Sequence, residues 1–101
     1  MRNFYEVTVR IYGNCYEEVY TYDGTAIQEE KRYFAMQDCV LLIDARTEDG
    51  ATKMAMDYVS KDSCDITDVT DIELYDIRYL GPAVDAKRDC IHDVRYEDVN
   101  F

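Results

Sequence analysis

A strict alternation of side chains near the start of the chain constrains the fold most. From Tyr5 to Ile11 every second residue is apolar or aromatic, and the residues between them are polar or charged. A period of two places one set of side chains on each face of a β-strand. Residues 4–12 are therefore predicted to form a strand that buries one face.

A returning strand is predicted to follow at once. Gly13-Asn14 fits a two-residue hairpin turn, because glycine tolerates the positive φ that such turns need. Residues 15–22 would then form the second strand, which Asp23-Gly24 would end.

The next segment has two interpretations. Thr25 and Gln28 have the spacing of a capping box, and the acids Glu29 and Glu30 precede Lys31-Arg32, as suits a helix dipole. A helix over 26–37 is predicted on these grounds. A strand from Glu29 to Met36 stays open as the alternative, since aromatic side chains also suit a sheet.

The middle of the chain predicts a central strand and then a helix. The continuous apolar run Cys39–Ile43 is typical of a strand covered on both faces. Thr47 then caps a helix from Glu48 to about Ser60, with acids in its first turn. Its apolar residues recur at i, i+3, i+4, i+7 and i+8 and would pack on the sheet: Ala51, Met54, Ala55, Tyr58 and Val59.

The remaining residues complete a small domain. Residues 62–71 are expected to be an acidic connector, and a strand around Ile72 to Leu80 would be broken by Gly81-Pro82. The last twenty residues fit either a short helix or a final strand over 91–99. Together these elements predict a single α+β domain spanning 1–101. It would have two layers: a mainly antiparallel sheet of about four to five strands, with one or two helices on one face.

The charge balance narrows the choice of partners. Asp and Glu number 22 against 11 Lys and Arg, so the net charge is −11. Such a surface repels nucleic-acid phosphates and anionic lipid headgroups, which bind clustered basic residues. The chain shows neither a signal peptide nor an apolar stretch of membrane-spanning length. We therefore expect a cytoplasmic protein that binds neither nucleic acid nor membrane directly.

No residue pattern indicates a catalytic site, a cofactor or a metal. The glycines do not form a phosphate-binding loop, and the four cysteines lack the close pairs of structural zinc sites. The acids from Asp62 to Asp71 lack the EF-hand spacing. A pairing of Cys90 or Cys64 with His92 stays open, because catalytic partners meet in space rather than in sequence.

Acidic residues interleaved with tyrosines form the remaining signal. Carboxylates can take the place of phosphates in a basic groove, and tyrosines are enriched at protein interfaces. The predicted partner-binding residues are Asp62, Asp65, Asp68, Asp71, Glu73, Asp76, Tyr75 and Tyr79, together with Glu17, Glu18 and Tyr20 on the earlier strand.

In size, charge and scattered tyrosines, the whole chain resembles the small acidic inhibitors that phages and other mobile elements use against host defences. Anti-CRISPR proteins and nucleic-acid mimics belong to this class, which shares no sequence motif. The resemblance implies a non-enzymatic inhibitor that occupies the basic, nucleic-acid-binding surface of a protein in the host cytoplasm. The alternative is a structural or interaction module, such as a homodimer, whose acidity serves solubility. A small enzyme ranks third.

Overall fold

In a computed structural model of the protein, the described residues form four strands and one helix. They are β1 (Arg2–Tyr20), β2 (Ile27–Ala45), α1 (Glu48–Lys61), β3 (Asp68–Ala83) and β4 (Cys90–Asp98). The structure describes residues 2–20, 27–61, 66–83 and 88–99, excluding the side chains of 18–20, 27–30 and 61.

The strands form one antiparallel sheet in the order β3-β1-β2-β4, and α1 lies on one of its faces. This confirms a small α+β domain with two layers. A fifth strand and a second helix are not seen in the described ranges. Because β1 and β2 lie at the centre, β3 and β4 are the two edge strands.

The predicted turn at Gly13-Asn14 is wrong, because β1 continues through it to Tyr20. Gly13 instead pairs with Ala35 on β2 and Val69 on β3. A Cβ atom on Gly13 would lie 2.5 Å from Cγ2 of Ile66 and closer still to the carbonyl oxygen of Asp68. Glycine is needed here for close backbone approach rather than for a turn. The expected strand end at Asp23-Gly24 lies outside the described residues.

The predicted helix over 26–37 is also wrong, and the alternative strand is confirmed as part of β2. One of the charges that suited a helix dipole also suits the sheet, since Lys31 lies directly opposite Glu17 on β1. Cross-strand pairs of opposite charge stabilise antiparallel strands much as i,i+4 pairs stabilise helices.

Helix α1 follows the prediction closely. The backbone N–H of Gly50 donates to Oγ1 of Thr47 at 3.0 Å, which caps the N-terminus. One line of the apolar stripe is buried, and Met54 and Tyr58 beside it are half-buried against the core. The buried line consists of Ala51, Ala55 and Val59.

The core lies between α1 and the central strands. Its fully buried side chains include Val7, Val9 and Ile11 of β1 and Leu41 and Ile43 of β2. The predicted central strand Cys39–Ile43 is therefore present, but α1 covers only one of its faces. On the other face Val40 is 6% exposed and Leu42 is half-buried.

The C-terminal half forms the two edge strands. Gly81-Pro82 does not end β3. Gly81 takes a φ of 129°, a conformation that glycine adopts readily. Pro82 has no backbone N–H to donate, but an edge strand tolerates such a residue. Asp68 and Asp71 belong to this strand, so the predicted connector is shorter than expected. The final strand over 91–99 is confirmed as β4, which starts at Cys90.

Replacing Gly13 with alanine is expected to destabilise the fold by about 1–3 kcal/mol, as overpacking does. The added Cβ would collide with the Asp68 backbone, which can yield only if β3 shifts. Urea unfolding of both proteins measures the difference. Unchanged stability would contradict the close approach of the β3 backbone to Gly13.

Replacing Ala55 with aspartate is expected to cost about 3 kcal/mol or more, because it buries an unpaired charge. Lys53→Gln is the matched control, since it also lowers the net charge by one but lies at an exposed position of α1. Thermal unfolding should separate the two variants clearly. Equal melting temperatures would show that α1 packs on the sheet through another face.

Candidate functional site

The sheet has one face that no helix covers in the described part of the chain, and we call it the open face. On β1 it carries the even-numbered residues, such as Glu6, Arg10 and Tyr12, because the odd-numbered ones point towards α1. Contacts across strands confirm the assignment. Arg78 of β3 donates to Glu6, and Tyr12 donates to Glu73.

Four of the predicted acidic residues lie in a row along β3, at the margin of the open face. Their register partners on β1 are open-face residues, and all four are exposed. We call this row the acidic edge: Asp68, Asp71, Glu73 and Asp76. Same-side residues on a strand lie about 6.6 Å apart, so the carboxylates form a spaced series rather than a cluster.

Part of the acidic edge already interacts within the protein. Glu73 accepts a hydrogen bond from the Tyr12 hydroxyl, and this bond raises the pKa of Tyr12. The guanidinium carbon of Arg10 lies 3.6 Å from the centre of the Tyr75 ring, a cation–π contact. Arg10 is also held by two hydrogen bonds to Asp38, at 2.8 and 3.1 Å, which raise its pKa.

The remaining carboxylates of the acidic edge form no ion pair with any described cation. Asp68, Asp71 and Asp76 lie more than 4 Å from every described basic group. Four arginines of the open face are each paired with an acid: Arg2, Arg10, Arg78 and Arg95. Arg32, which lies on the same face opposite Tyr16, is in no ion pair with a described acid. The open face therefore offers a partner unpaired negative charge.

The other predicted binding residues are not brought together with this row. Tyr79 lies on the α1 side of the sheet, where its ring meets Tyr5 edge-to-face at 5.9 Å. Glu17 also points to the α1 side, three residues beyond the last pair between β1 and β3. The side chains of Glu18 and Tyr20 lie outside the described residues, as do Asp62 and Asp65.

Strand β3 also exposes apolar surface. Of the nine large hydrophobic side chains exposed in the described ranges, five belong to this strand. They are Val69, Leu74, Tyr75, Tyr79 and Leu80. Three register shifts against β1 interrupt the strand, and such bulges bend an edge and limit its pairing with other chains.

A second group lies at the opposite side of the open face: the structure brings together Cys90 and His92, a pairing that the sequence left open, and adds Asp44, which sequence reasoning missed. One donor atom from each of Asp44, Cys90 and His92 lies within 4.8 Å of the other two. Sγ of Cys90 is 3.3 Å from Nε2 of His92, and the same nitrogen is 3.8 Å from Oδ2 of Asp44. The Asp44 side chain is fully buried, whereas that of His92 is 42% exposed.

Two features of the sequence could have pointed to this group. Cys90 and His92 stand two residues apart in a segment that also fits a strand, which places both side chains on one face. Asp44 directly follows the buried apolar run, where an ionised side chain needs a partner. The pairing of Asp44 with Cys90 could not be predicted, because it depends on the register between β2 and β4.

A groove of about 440 Å³ lies on the other face, between α1 and β4. Met54, Tyr58 and Ile91 form its apolar floor, and Lys53, Asp57 and Asp89 its charged rim. No cluster of potential ligands occupies it among the described residues.

Comparison with protein-family models, curated proteins and solved structures finds no match to this chain. No helix in the described part of the chain has the length and apolarity needed to span a lipid bilayer.

Proposed function

We propose that this protein is a non-enzymatic inhibitor that occupies the basic, nucleic-acid-binding surface of a partner protein through its acidic edge. The observation that carries the proposal is the row of exposed carboxylates on β3, three of which form no ion pair with a described cation. Small anti-defence inhibitors of phages would be the corresponding class, with the host cytoplasm as the place of action.

Electrostatics supports this proposal over direct nucleic-acid binding. The net charge of −11 repels phosphates, and four arginines of the open face are already paired with acids. A basic groove would instead gain attraction at long range, which speeds association and weakens as salt screens the charges. Binding through the acidic edge should therefore be fast at low salt and decline steeply as salt rises.

A tyrosine on β3 would add contact area to this charge attraction. Tyr75 is 55% exposed and stands beside the carboxylates in the same strand, where its ring contacts Arg10 of the open face. Aromatic residues next to charged ones are typical of the energetically important part of an interface. Arg10 fixes the Tyr75 ring from one side, so less side-chain freedom would be lost on binding.

A second function is self-association, in which β3 pairs with β3 of another copy. The exposed apolar side chains of this edge strand favour it. The acidic edge opposes it, because an antiparallel pair of identical strands would bring like charges together. The inhibitor is therefore the function we put first.

The double variant Asp71→Lys/Asp76→Lys tests the inhibitor. Both residues are exposed and lie outside the described hydrogen bonds and ion pairs, so the fold should tolerate the change. Wild type is expected to capture nucleic-acid-binding proteins from lysate at about 50 mM salt and to release them by about 200 mM. It should also displace DNA or RNA from the captured protein, and the variant should do so several-fold less well.

The matched control is Asp49→Lys/Asp57→Lys, which changes the net charge equally at exposed positions of α1. This control variant should bind the captured proteins nearly as well as wild type does. If both double variants bind like wild type, or if the captured proteins keep their nucleic acid, the inhibitor proposal is wrong. A mass in sedimentation that rises with concentration, and rises at least as much in the β3 variant, would favour self-association, because the variant removes like charges from the pairing edge.

A further inference from the structure

We propose that Asp44, Cys90 and His92 bind a divalent transition-metal ion, zinc foremost. The site lies on the open face where β2 meets β4, across the sheet from the acidic edge. It involves none of the residues that carry the proposed function, so each proposal can fail without the other.

Two of the three separations between donor atoms are close to those that a tetrahedral ion requires. With ordinary zinc bond lengths, a thiolate sulfur and an imidazole nitrogen stand about 3.5 Å apart, and a nitrogen and a carboxylate oxygen about 3.4 Å apart. The corresponding distances here are 3.3 Å from Cys90 Sγ to His92 Nε2 and 3.8 Å from that nitrogen to Asp44 Oδ2. Changes of a few tenths of an ångström would bring both to the ideal values, and the third separation, from Cys90 Sγ to the Asp44 carboxylate, is within 4.8 Å.

A buried oxygen of Asp44 supplies the independent reason to expect an ion. Oδ1 accepts a hydrogen bond from Nε of Arg2 at 3.0 Å, but Oδ2 has no hydrogen-bond partner among the described residues. An ionised oxygen that is buried without a partner is costly. Oδ2 faces Nε2 of His92, so a cation between them would satisfy it.

The geometry differs from that of a catalytic cysteine–histidine–aspartate arrangement. In such a triad, the nucleophile and the carboxylate contact different nitrogens of the histidine ring. Here Cys90 and Asp44 both approach Nε2. Convergence of sulfur, nitrogen and oxygen donors on one point is the arrangement that metal ions need.

The backbone holds these side chains in place. Asp44 pairs directly with Cys90, and the register shift between Leu42 and Ile43 leaves His92 as the extra residue of a bulge. Bulges are common beside functional sites because they redirect a side chain. The ring of His92 also packs edge-to-face against Phe4, with ring centres 5.4 Å apart.

Arg2 provides a second layer around the site. It donates to both Asp44 and Asp89, which orients the Asp44 carboxylate. Such outer hydrogen bonds position metal ligands and affect affinity. Its positive charge would reduce the affinity for a cation, but Asp89 offsets it.

The proton balance follows from the ligand types. Cys90 would release its thiol proton and bind as thiolate, whereas His92 would bind as neutral imidazole and Asp44 as carboxylate. Affinity should therefore fall as the pH is lowered. The exposed side of His92 leaves the fourth coordination position to water.

Titration with Co²⁺, followed by displacement with Zn²⁺, tests the proposal on the full chain. A stoichiometric complex should show thiolate-to-cobalt absorption in the near ultraviolet and the visible bands of tetrahedral cobalt. Cys90→Ser should abolish the thiolate-to-cobalt absorption in the near ultraviolet. Cys90→Ser and His92→Gln should each weaken zinc binding by more than the roughly 10- to 100-fold typical of losing a second-layer partner.

Cys15→Ser is the control, because this half-buried thiol lies on β1 away from the site. It should bind cobalt like wild type. Circular dichroism identifies any variant that has lost its fold. If Cys90→Ser does not fold, His92→Gln still tests the proposal, because His92 is at an exposed position. Absent or non-saturating cobalt absorption, or equal affinity in Cys90→Ser, would mean an adventitious ion only and would overturn the proposal.

Discussion

Side chains from the two central strands meet directly across the β1–β2 ladder, since Val7 pairs with Leu41 and Val9 with Cys39. This register places the fully buried residues of both strands on the side where α1 packs. A slip of one residue would turn the apolar set of one strand towards the open face, at the cost of most of the core. The positions of β3, β4 and α1 all depend on this pairing.

The same register separates the two features that carry our proposals. On the β3 side it places the acidic edge next to Tyr12, which binds Glu73 and leaves the other three carboxylates available, and Arg10 packs on the neighbouring Tyr75. On the β4 side it brings Asp44 opposite Cys90. One margin of the open face is therefore suited to a basic surface, and the other to a single cation.

Local patterns predicted those elements whose signal lies within one segment. The alternation from Tyr5 to Ile11 and the stripe from Ala51 to Val59 correspond to β1 and α1, because burial of one face determines both. The turn predicted at Gly13 and the helix predicted from the capping box at Thr25 were both wrong. A glycine can allow two strands to approach closely as well as form a turn, and opposite charges can pair across strands as well as along a helix. The link between Asp44 and His92 was beyond prediction, because it needs the register of strands far apart in sequence.

The long hairpin is the central claim, and cross-strand nuclear Overhauser effects test it most directly. The account predicts contacts between the backbone protons of residues 7–11 and 37–41, such as Val9 with Cys39 and Val7 with Leu41. A short hairpin that turns at Gly13-Asn14 would instead connect Val9 with Glu18. Contacts of that second kind, without the first, would contradict the register on which the open face, the acidic edge and the metal site all depend.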